Sequence, residues 1–188
     1  MQTLNVKINP SLSARERILL TAHELFYQEG IRATGIDRVI AMSGVAKVTF
    51  YRHFPSKNDL ILEFLEFRHQ RWMAWFADAL QRHGGDIKAL VPTLAEWFVS
   101  KDFRGCAFIN SVGELGATRP EVMEITQRHK QEMSDIIADL LPPSRWRKRD
   151  AQDYALLVDG AIIRAQIEQN AKAALSSLNR ILRSLTSR

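Results

Sequence analysis

Apolar residues recur every three or four positions along most of the chain, whereas the strict alternation that predicts strands is nearly absent. Gly, Pro and Ser residues interrupt this pattern at intervals and indicate where successive helices begin and end. We therefore expect about nine helices, placed approximately at residues 13–29, 36–43, 46–54, 56–82, 86–100, 106–115, 120–141, 150–169 and 171–186. The pattern predicts an all-α protein.

The first three of these helices are short and closely spaced. Ser11 or Ser13 can cap the first helix, and Gly30 suits a left-handed residue at its end. The second and third helices are separated only by Ser43-Gly44-Val45, and Pro55 ends the third. Two short helices joined across such a turn have the spacing of a helix-turn-helix.

The third predicted helix divides into an apolar face and a polar face. Val45, Phe50 and Phe54 fall on one side and are expected to pack against the first two helices. The other side carries side chains suited to DNA, namely Lys47, Val48, Thr49, Tyr51, Arg52 and His53. Cations and hydroxyl groups contact phosphates, and an exposed valine can touch the methyl group of thymine in the major groove. Thr34, before the second helix, and Lys57, after the third, are further candidate phosphate contacts.

The positive charge of the chain is concentrated in the same region. Residues 1–58 contain eight Lys or Arg and four Asp or Glu, a net charge of +4, out of +5 for all 188 residues. The remaining 130 residues are close to neutral at +1. A basic N-terminal third with a helix-turn-helix pattern indicates a nucleic-acid-binding segment.

The run GIRATGIDRVIAMSGVAKVTFYRHFPSKNDL resembles the signature of the tetracycline-repressor (TetR) family of transcriptional regulators. The resemblance implies an N-terminal DNA-binding domain over residues 1–58, with the helix-turn-helix at about 35–54. It also implies two kinds of contact with DNA. Contacts at or near base edges come from Lys47, Val48 and Thr49, and the other contacts are to phosphates. The phosphate contacts that it implies come from Thr34, Tyr51, His53 and Lys57. The expected protein is a repressor that binds a palindromic operator in double-stranded DNA as a homodimer and is released by a small-molecule effector.

Two positions depart from the family pattern. Members of the family often have Ser or Thr where this chain has Gly35 and Ala46. Each change removes a capping hydroxyl, which weakens a helix cap by roughly 1 kcal/mol, although Gly itself caps tolerably. The motif as a whole is retained.

Residues 59–188 form the expected effector-binding and dimerisation domain. The last two predicted helices carry apolar stripes that include several small residues, which allow close helix packing. These stripes either close the core of one chain or, as the resemblance implies, form a four-helix bundle with a second chain. The candidate interface residues are Ala151, Ala155, Val158, Ile162, Ala165, Leu175, Leu178 and Leu182.

The middle of the chain is rich in aromatic residues that either pack as an ordinary core or line a pocket for a largely apolar effector. The candidate pocket residues are Trp72, Trp75, Phe76, Trp97, Phe98, Phe103, Cys106, Phe108, Asn110, Glu114 and Met123. Asn110, Ser111 and Glu114 lie in an otherwise apolar helix and need polar partners if they are buried. Such groups either orient a ligand or cap a neighbouring helix.

A single cysteine, Cys106, excludes an intramolecular disulfide and fits a reducing compartment such as the cytoplasm. It lies near a predicted helix start with Arg104 two residues away, so it is either a thiol that senses oxidants or electrophiles, or an inert core residue. The five histidines lack Cys or acidic neighbours at metal-binding spacing, and no metal or cofactor is expected.

Other classes of protein find little support. No uninterrupted apolar stretch follows a basic start at the N-terminus, and no window is long and apolar enough to span a membrane. No phosphate-binding loop, nucleophile elbow or carboxylate pair is present, so we do not expect an enzyme. The alternative from another class is a helical enzyme or small-molecule-binding protein whose basic N-terminal segment is incidental.

Overall fold

The structure, a computed structural model, describes residues 11–186. Residues 1–10 and 187–188 lie outside the described residues. Lys7, one of the eight basic residues counted above, and the N-terminal start that was considered as a signal peptide are therefore outside them as well. The described residues form nine α-helices, one 3₁₀ turn at Ile87–Ala89 and no strand. The helices are α1 Ala14–Glu29, α2 Ile36–Ser43, α3 Lys47–His53, α4 Lys57–Arg82, α5 Leu90–Phe98, α6 Ala107–Leu115, α7 Pro120–Asp139, α8 Arg147–Glu168 and α9 Ala171–Thr186. The predicted all-α fold with an N-terminal helix-turn-helix is confirmed.

Local capping explains where α1 begins and ends. The Ser13 hydroxyl accepts a hydrogen bond from the Glu16 backbone N–H, and the Glu16 carboxylate accepts one from the Ser13 backbone N–H at 2.8 Å. This reciprocal pair satisfies two backbone donors that the first turn would otherwise leave unpaired. The helix ends at Gly30, whose φ of 92° lies in a region that other residues rarely adopt.

The described chain forms two compact units. One comprises residues 11–69 and 107–126, which contain α1, α2, α3 and α6; the other comprises residues 70–106 and 127–186, which contain α5, α8 and α9. We refer to them as the head unit and the body unit. The functional division into domains at residues 58/59 stays a prediction.

The core of the head unit is built from the apolar faces of its short helices. Ile18 and Ala22 of α1, Val39 of α2 and Phe50 of α3 are each completely buried. Phe64, near the start of α4, packs edge-on against Phe26 of α1, with ring centroids 5.4 Å apart. These contacts fix the three N-terminal helices on one another.

The core of the body unit is an aromatic cluster. The rings of Trp72 and Phe76 stack with centroids 4.5 Å apart, and Trp97 meets Trp72 edge-on at 5.8 Å. At the margin of the cluster, Glu96 accepts two hydrogen bonds from the Arg82 guanidinium, at 3.0 and 3.1 Å, and a third from the Trp75 indole N–H at 3.3 Å. α5 is thereby fastened to the C-terminal half of α4 by both apolar and charged contacts.

Within residues 11–186, no helix is long and apolar enough to cross a membrane.

The Glu96 cluster gives a prediction about acid stability. Hydrogen bonds from Arg82, and secondarily from Trp75 and His83, lower the pKa of Glu96 to about 2 from its ordinary value of 4.5. The carboxylate therefore contributes stability that is complete above about pH 4.5 and is lost as the pH falls towards 2. We expect the free energy of unfolding to fall in this range, and Glu96→Gln to remove much of that fall in denaturant titrations.

The control for this prediction is Glu124→Gln, which changes an exposed carboxylate of α7. It should leave the acid-dependent loss of stability in place. An identical pH profile for Glu96→Gln and the native chain would contradict the assigned role of Glu96.

Candidate nucleic-acid interface

The turn between α2 and α3 is held in place by α1. Gly44 adopts a left-handed conformation with φ 64° and ψ 31°, which ends α2 and reverses the chain. The guanidinium of Arg17 donates to the carbonyl oxygens of Ser43 and Gly44, each at 3.2 Å. A single α1 side chain thus holds the last carbonyl of α2 and the carbonyl of the turn, and so helps to fix the angle at which α3 leaves the turn.

The inward face of α3 is aromatic. Phe50 is fully buried, and Phe54, which follows the last helical residue, is 3% exposed. Their ring centroids lie 6.2 Å apart, and the guanidinium of Arg15 lies over the Phe54 ring at 5.5 Å. Val45, the third residue predicted for this face, is half-buried. The apolar side of the helix therefore packs as its spacing predicts.

The outward face of α3 presents polar and small apolar side chains. Val48 is 78% exposed and Tyr51 is 41% exposed, and Lys47 and Arg52 are also exposed. A valine this open on a seven-residue helix buries almost nothing within the chain, so its surface is free to meet a partner. Thr49 and His53 are half-buried at the edges of this face. All six side chains predicted to face DNA from α3 therefore lie outside the core.

One of these cations has a partner within the chain. Lys47 forms an ion pair with Asp37 of α2, with Nζ and Oδ1 3.2 Å apart. Both side chains are largely exposed, so the pair contributes little to stability and can open without much cost. Lys47 is therefore available to a phosphate or base edge that replaces Asp37.

Thr34 differs from the other predicted contacts because its side chain is fully buried. Its hydroxyl donates to the carbonyl of Gly30 at 2.8 Å and closes the connection between α1 and α2. A phosphate contact at this point would have to come from backbone N–H groups rather than from the hydroxyl. Gly35 and Ala46, which precede α2 and α3, provide no side-chain cap, as the departures from the family pattern led us to expect.

Lys57 also makes a contact within the head unit. Its ammonium group donates to the carbonyl of Ile31 at 2.6 Å and lies 6.0 Å from the Phe26 ring centroid. Burial lowers the pKa of Lys57, and the nearby carboxylate of Glu114 opposes this shift. The predicted phosphate contact therefore comes from a lysine that is half-buried and already bonded to the chain.

The hydrogen-bond partners of Glu114 in α6 could not be predicted from the sequence. It was among the candidate pocket residues, but its two carboxylate oxygens accept hydrogen bonds from the backbone N–H groups of Ile31 at 3.1 Å and Arg32 at 2.7 Å. The sequence signals only that a charged residue in an apolar helix needs a partner. It does not say that the partner lies 83 residues away.

The candidate pocket residues, Glu114 included, are divided between the two units. Those in the body unit are Trp72, Trp75, Phe76, Trp97, Phe98, Phe103 and Cys106, and those in the head unit are Phe108, Asn110, Glu114 and Met123. The aromatic residues of the body unit pack on one another, and the ring centroids of Phe98 and Phe103 lie 4.9 Å apart. Phe108 is buried against His69, whereas Asn110 and Met123 are half-buried.

Cys106 lies in a small polar cluster of the body unit. Its buried sulfur accepts a hydrogen bond from Lys130 at 3.5 Å, and Lys130 also pairs with Asp159 at 2.5 Å. Burial lowers the pKa of Lys130, but Cys106 and Asp159 together outweigh that effect, and the pKa is raised overall. The lysine therefore carries its charge next to the sulfur. The sensor role and the inert role of Cys106 both stay predictions.

The residues predicted for a dimer interface lie mostly inside the single chain. Seven of the eight are at most 9% exposed, and Leu175 is half-buried. The apolar stripes that they form are buried within the body unit, where α8 packs on α9. This agrees with the interpretation that the stripes close the core of one chain. The same helices leave a different apolar set exposed, namely Leu156 at 72%, Ile163 at 38%, Ile167 at 72% and Ile181 at 37%. Leu156 and Ile181 line a shallow groove of about 260 Å³ between α8 and α9.

In the part of the chain that the structure describes, no group of three or more His, Cys, Asp or Glu side chains lies close enough together to hold a metal ion.

Comparison with known proteins assigns the helix-turn-helix to a family. Residues 18–64 match the family model for bacterial regulatory proteins of the tetR family. This range includes α1 from its second turn onward, the whole of α2 and α3, and the beginning of α4. The outward and inward faces of α3 therefore both lie within the matched segment.

Similarity to individual proteins extends over most of the chain. A TetR-family transcriptional regulator from Streptomyces coelicolor has 32% sequence identity and a TM-score of 0.78, with 91% of this chain and 89% of that chain covered. The reduced form of Escherichia coli NemR has the same fold, with a TM-score of 0.76 and 20% identity over 90% of this chain and 97% of that one. The transcriptional activator FasR of Mycolicibacterium smegmatis is 25% identical over 134 residues, which cover 70% of this chain and 60% of FasR. The chain belongs to the TetR family and is a DNA-binding transcriptional regulator.

Proposed function

We propose that this regulator is a homodimeric repressor that binds a two-fold symmetric operator through α3 and is released by a small, largely apolar effector. The main support for DNA binding through α3 is that the helix has two faces. One face is aromatic and buried, and the other is exposed and carries Lys47, Val48, Tyr51 and Arg52. A helix fixed on one side and open on the other can enter the major groove without unfolding.

On this proposal the exposed face has two kinds of contact. Tyr51, Arg52 and His53 lie at the C-terminal end of α3 and bind phosphates, which sets the register of the head on the duplex. Lys47 and Val48 lie at its N-terminal end and reach base edges, with the valine against a thymine methyl group. The backbone N–H groups at the start of α2 bind a further phosphate, because neither Gly35 nor a side-chain cap blocks them.

A homodimer is supported by the apolar residues that α8 and α9 leave in solvent. Leu156 and Ile167 are each 72% exposed on α8, and a pair of such residues on one helix is costly unless a partner covers them. We propose that these two residues, with Ile163 and Ile181, meet the same helices of a second chain. Two heads related by two-fold symmetry would then contact half-sites about 34 Å apart.

The effector site is proposed to involve the aromatic cluster of the body unit. Among the described residues, the buried indole N–H of Trp72 and the buried hydroxyl of Thr93 make no hydrogen bond within the chain. Buried polar groups of this kind are rare because each costs about 1–3 kcal/mol. An apolar molecule with hydrogen-bond acceptors would satisfy the indole N–H when it binds. Release from DNA then requires that the effector bind the DNA-free conformation more tightly, by a few kcal/mol.

We also propose a cytoplasmic location, where the operator DNA of a bacterial regulator lies.

The experiment that tests the proposed function is selection of bound duplexes from a random pool, followed by addition of small apolar metabolites to the selected complex. We expect an inverted repeat whose half-sites are about one helical turn apart, and at least one class of compound that releases the protein. Selection of a single half-site, or no enrichment of any sequence, would contradict the dimeric reading of the operator.

The assignment of faces on α3 gives a second prediction. Val48→Ala should weaken binding to the selected operator by about 1 kcal/mol and relax preference at one base pair, because one apolar base contact is lost. Val99→Ala is the matched control, since Val99 is similarly open at 77% exposure but follows α5 in the body unit and is not part of α3. Competition titrations with single-base operator variants measure the change.

In the same assay Arg52→Gln should weaken binding to operator and random duplexes alike, because a phosphate contact carries no sequence information. Arg180→Gln, an exposed arginine of α9, is its control. Unchanged selectivity for Val48→Ala, or unchanged affinity for Arg52→Gln, would contradict the proposed faces.

The proposed dimer surface gives a third prediction. Ile167→Asp places a charge where an apolar contact between chains is expected, so it should convert the dimer to a monomer in sedimentation equilibrium. Val99→Asp introduces the same charge at an equally exposed site and should leave the dimer intact. A native chain that is monomeric, or an Ile167→Asp variant that dimerises normally, would rule out this surface.

A further inference from the structure

The connection between α1 and α2 is short and is held by side chains from elsewhere in the head unit. It runs from Gly30 to Gly35, and Gly35 makes no side-chain hydrogen bond at the start of α2. Glu114 of α6 and Lys57 of α4 contact its backbone directly. The backbone that leads into α2 is therefore in contact with both of these side chains.

Glu114 binds the connection with both carboxylate oxygens. Oε1 accepts the N–H of Ile31 at 3.1 Å, and Oε2 accepts the N–H of Arg32 at 2.7 Å. Hydrogen bonds to a charged acceptor are stronger than neutral ones, and a pair of them fixes direction as well as distance. A Cβ atom at Gly30 would lie 3.3 Å from Oε1, so the carboxylate also fills the space that a side chain at this position would need.

Lys57 binds the same residue, Ile31, at its carbonyl oxygen. The carbonyl of Ile31 accepts a hydrogen bond from the Lys57 ammonium at 2.6 Å, while the N–H of Ile31 is bound by Glu114. The Ile31 side chain is itself buried at 2% exposure. One residue is thus fixed through its donor, its acceptor and its side chain, and two residues of opposite charge share it.

This arrangement determines how α2 begins. Three residues after Ile31, the Thr34 hydroxyl returns to the carbonyl of Gly30, and Gly35 then starts α2 with no side-chain hydrogen bond of its own. A helix of eight residues without such a cap is weakly determined by its own sequence. Its start is set by the connection that Glu114 and Lys57 hold.

We propose that Glu114 is a positioning residue for DNA binding, which acts through the backbone of Ile31 and Arg32 and not by contact with DNA. The inference rests on the proposed role of α3 as the DNA-binding helix and adds a residue of α6 to its requirements. When the hydrogen bonds from Glu114 to the two N–H groups break, α2 and α3 lose their fixed orientation. The head unit then no longer fits the operator.

Because Glu114 is negatively charged, a positioning role and simple electrostatic repulsion predict opposite effects of removing it on operator affinity. Removing an acidic residue from a DNA-binding protein ordinarily raises its affinity, because repulsion of the phosphates decreases. Positioning predicts the opposite for the operator. Glu114→Gln keeps the size of the side chain, but it removes the charge and replaces one acceptor oxygen with an NH₂ group that cannot accept from a backbone N–H. Operator affinity should therefore fall roughly ten-fold, the equivalent of one charged hydrogen bond.

The experiment compares Glu114→Gln with Glu124→Gln, which removes the same charge from an exposed position of the head unit. Dissociation constants are measured for the selected operator and for random duplex DNA at one salt concentration. Amide hydrogen exchange at Ile31 and Arg32 is followed by NMR in the absence of DNA. Glu114→Asp is included because it keeps the charge while it withdraws the carboxylate by one methylene group.

The proposal predicts that Glu114→Gln loses operator affinity, keeps or slightly gains affinity for random DNA, and speeds exchange at the Ile31 and Arg32 amides. Glu114→Asp should lose operator affinity as well, although its charge is unchanged, and Glu124→Gln should not. The proposal is overturned if Glu114→Gln binds the operator as tightly as Glu124→Gln does, or if Glu114→Asp behaves as the native chain.

A failure of the proposed function gives a different result. The native chain would then select no operator, while faster exchange at Ile31 and Arg32 in Glu114→Gln would still show that the carboxylate fixes the connection. Exchange at the two amides that is the same in all the variants would overturn the positioning role independently of DNA.

Discussion

The burial of Phe50 in the core of the head unit is the interaction on which the proposed DNA-binding surface depends. α3 has only seven residues and no side-chain cap, and a helix of that length is not stable alone in water. Burial of Phe50 and Phe54 holds it in place, and the Arg17 contacts to the turn set its direction. The exposed face is then free for the side chains that we propose bind DNA, because the buried face supplies the stability of the helix.

The helices were predictable because their signals are local. Ser13, Gly30, Gly44 and Pro55 stop or start helices for reasons of backbone conformation or capping, and the structure places those boundaries within a residue of the prediction. The inward and outward faces of α3 followed from helical periodicity in the same way. The comparisons with known proteins then confirm the family that the GIRATG to SKNDL run resembles.

Contacts between distant segments were not predictable. A stripe at three-to-four spacing shows that a helix face is apolar but not which surface covers it, and the Ala151-to-Ala165 stripe of α8 proves to be covered by its own chain. Leu156 and Ile167 lie outside that stripe, so the pattern assigned them no role. Glu114 shows the same limit for polar groups, because a carboxylate in an apolar helix announces a need for donors without identifying the backbone of Ile31 and Arg32.

The salt dependence of duplex binding tests the central claim most directly, namely that the outward face of α3 lies on the DNA backbone. Two heads that each place at least two cations on phosphates predict a plot of log affinity against log salt concentration with a slope of about −4 or steeper. Arg52→Gln should reduce that slope by about 2, one counterion for each head. A slope near zero, or a steep slope that Arg52→Gln leaves unchanged, would contradict the account.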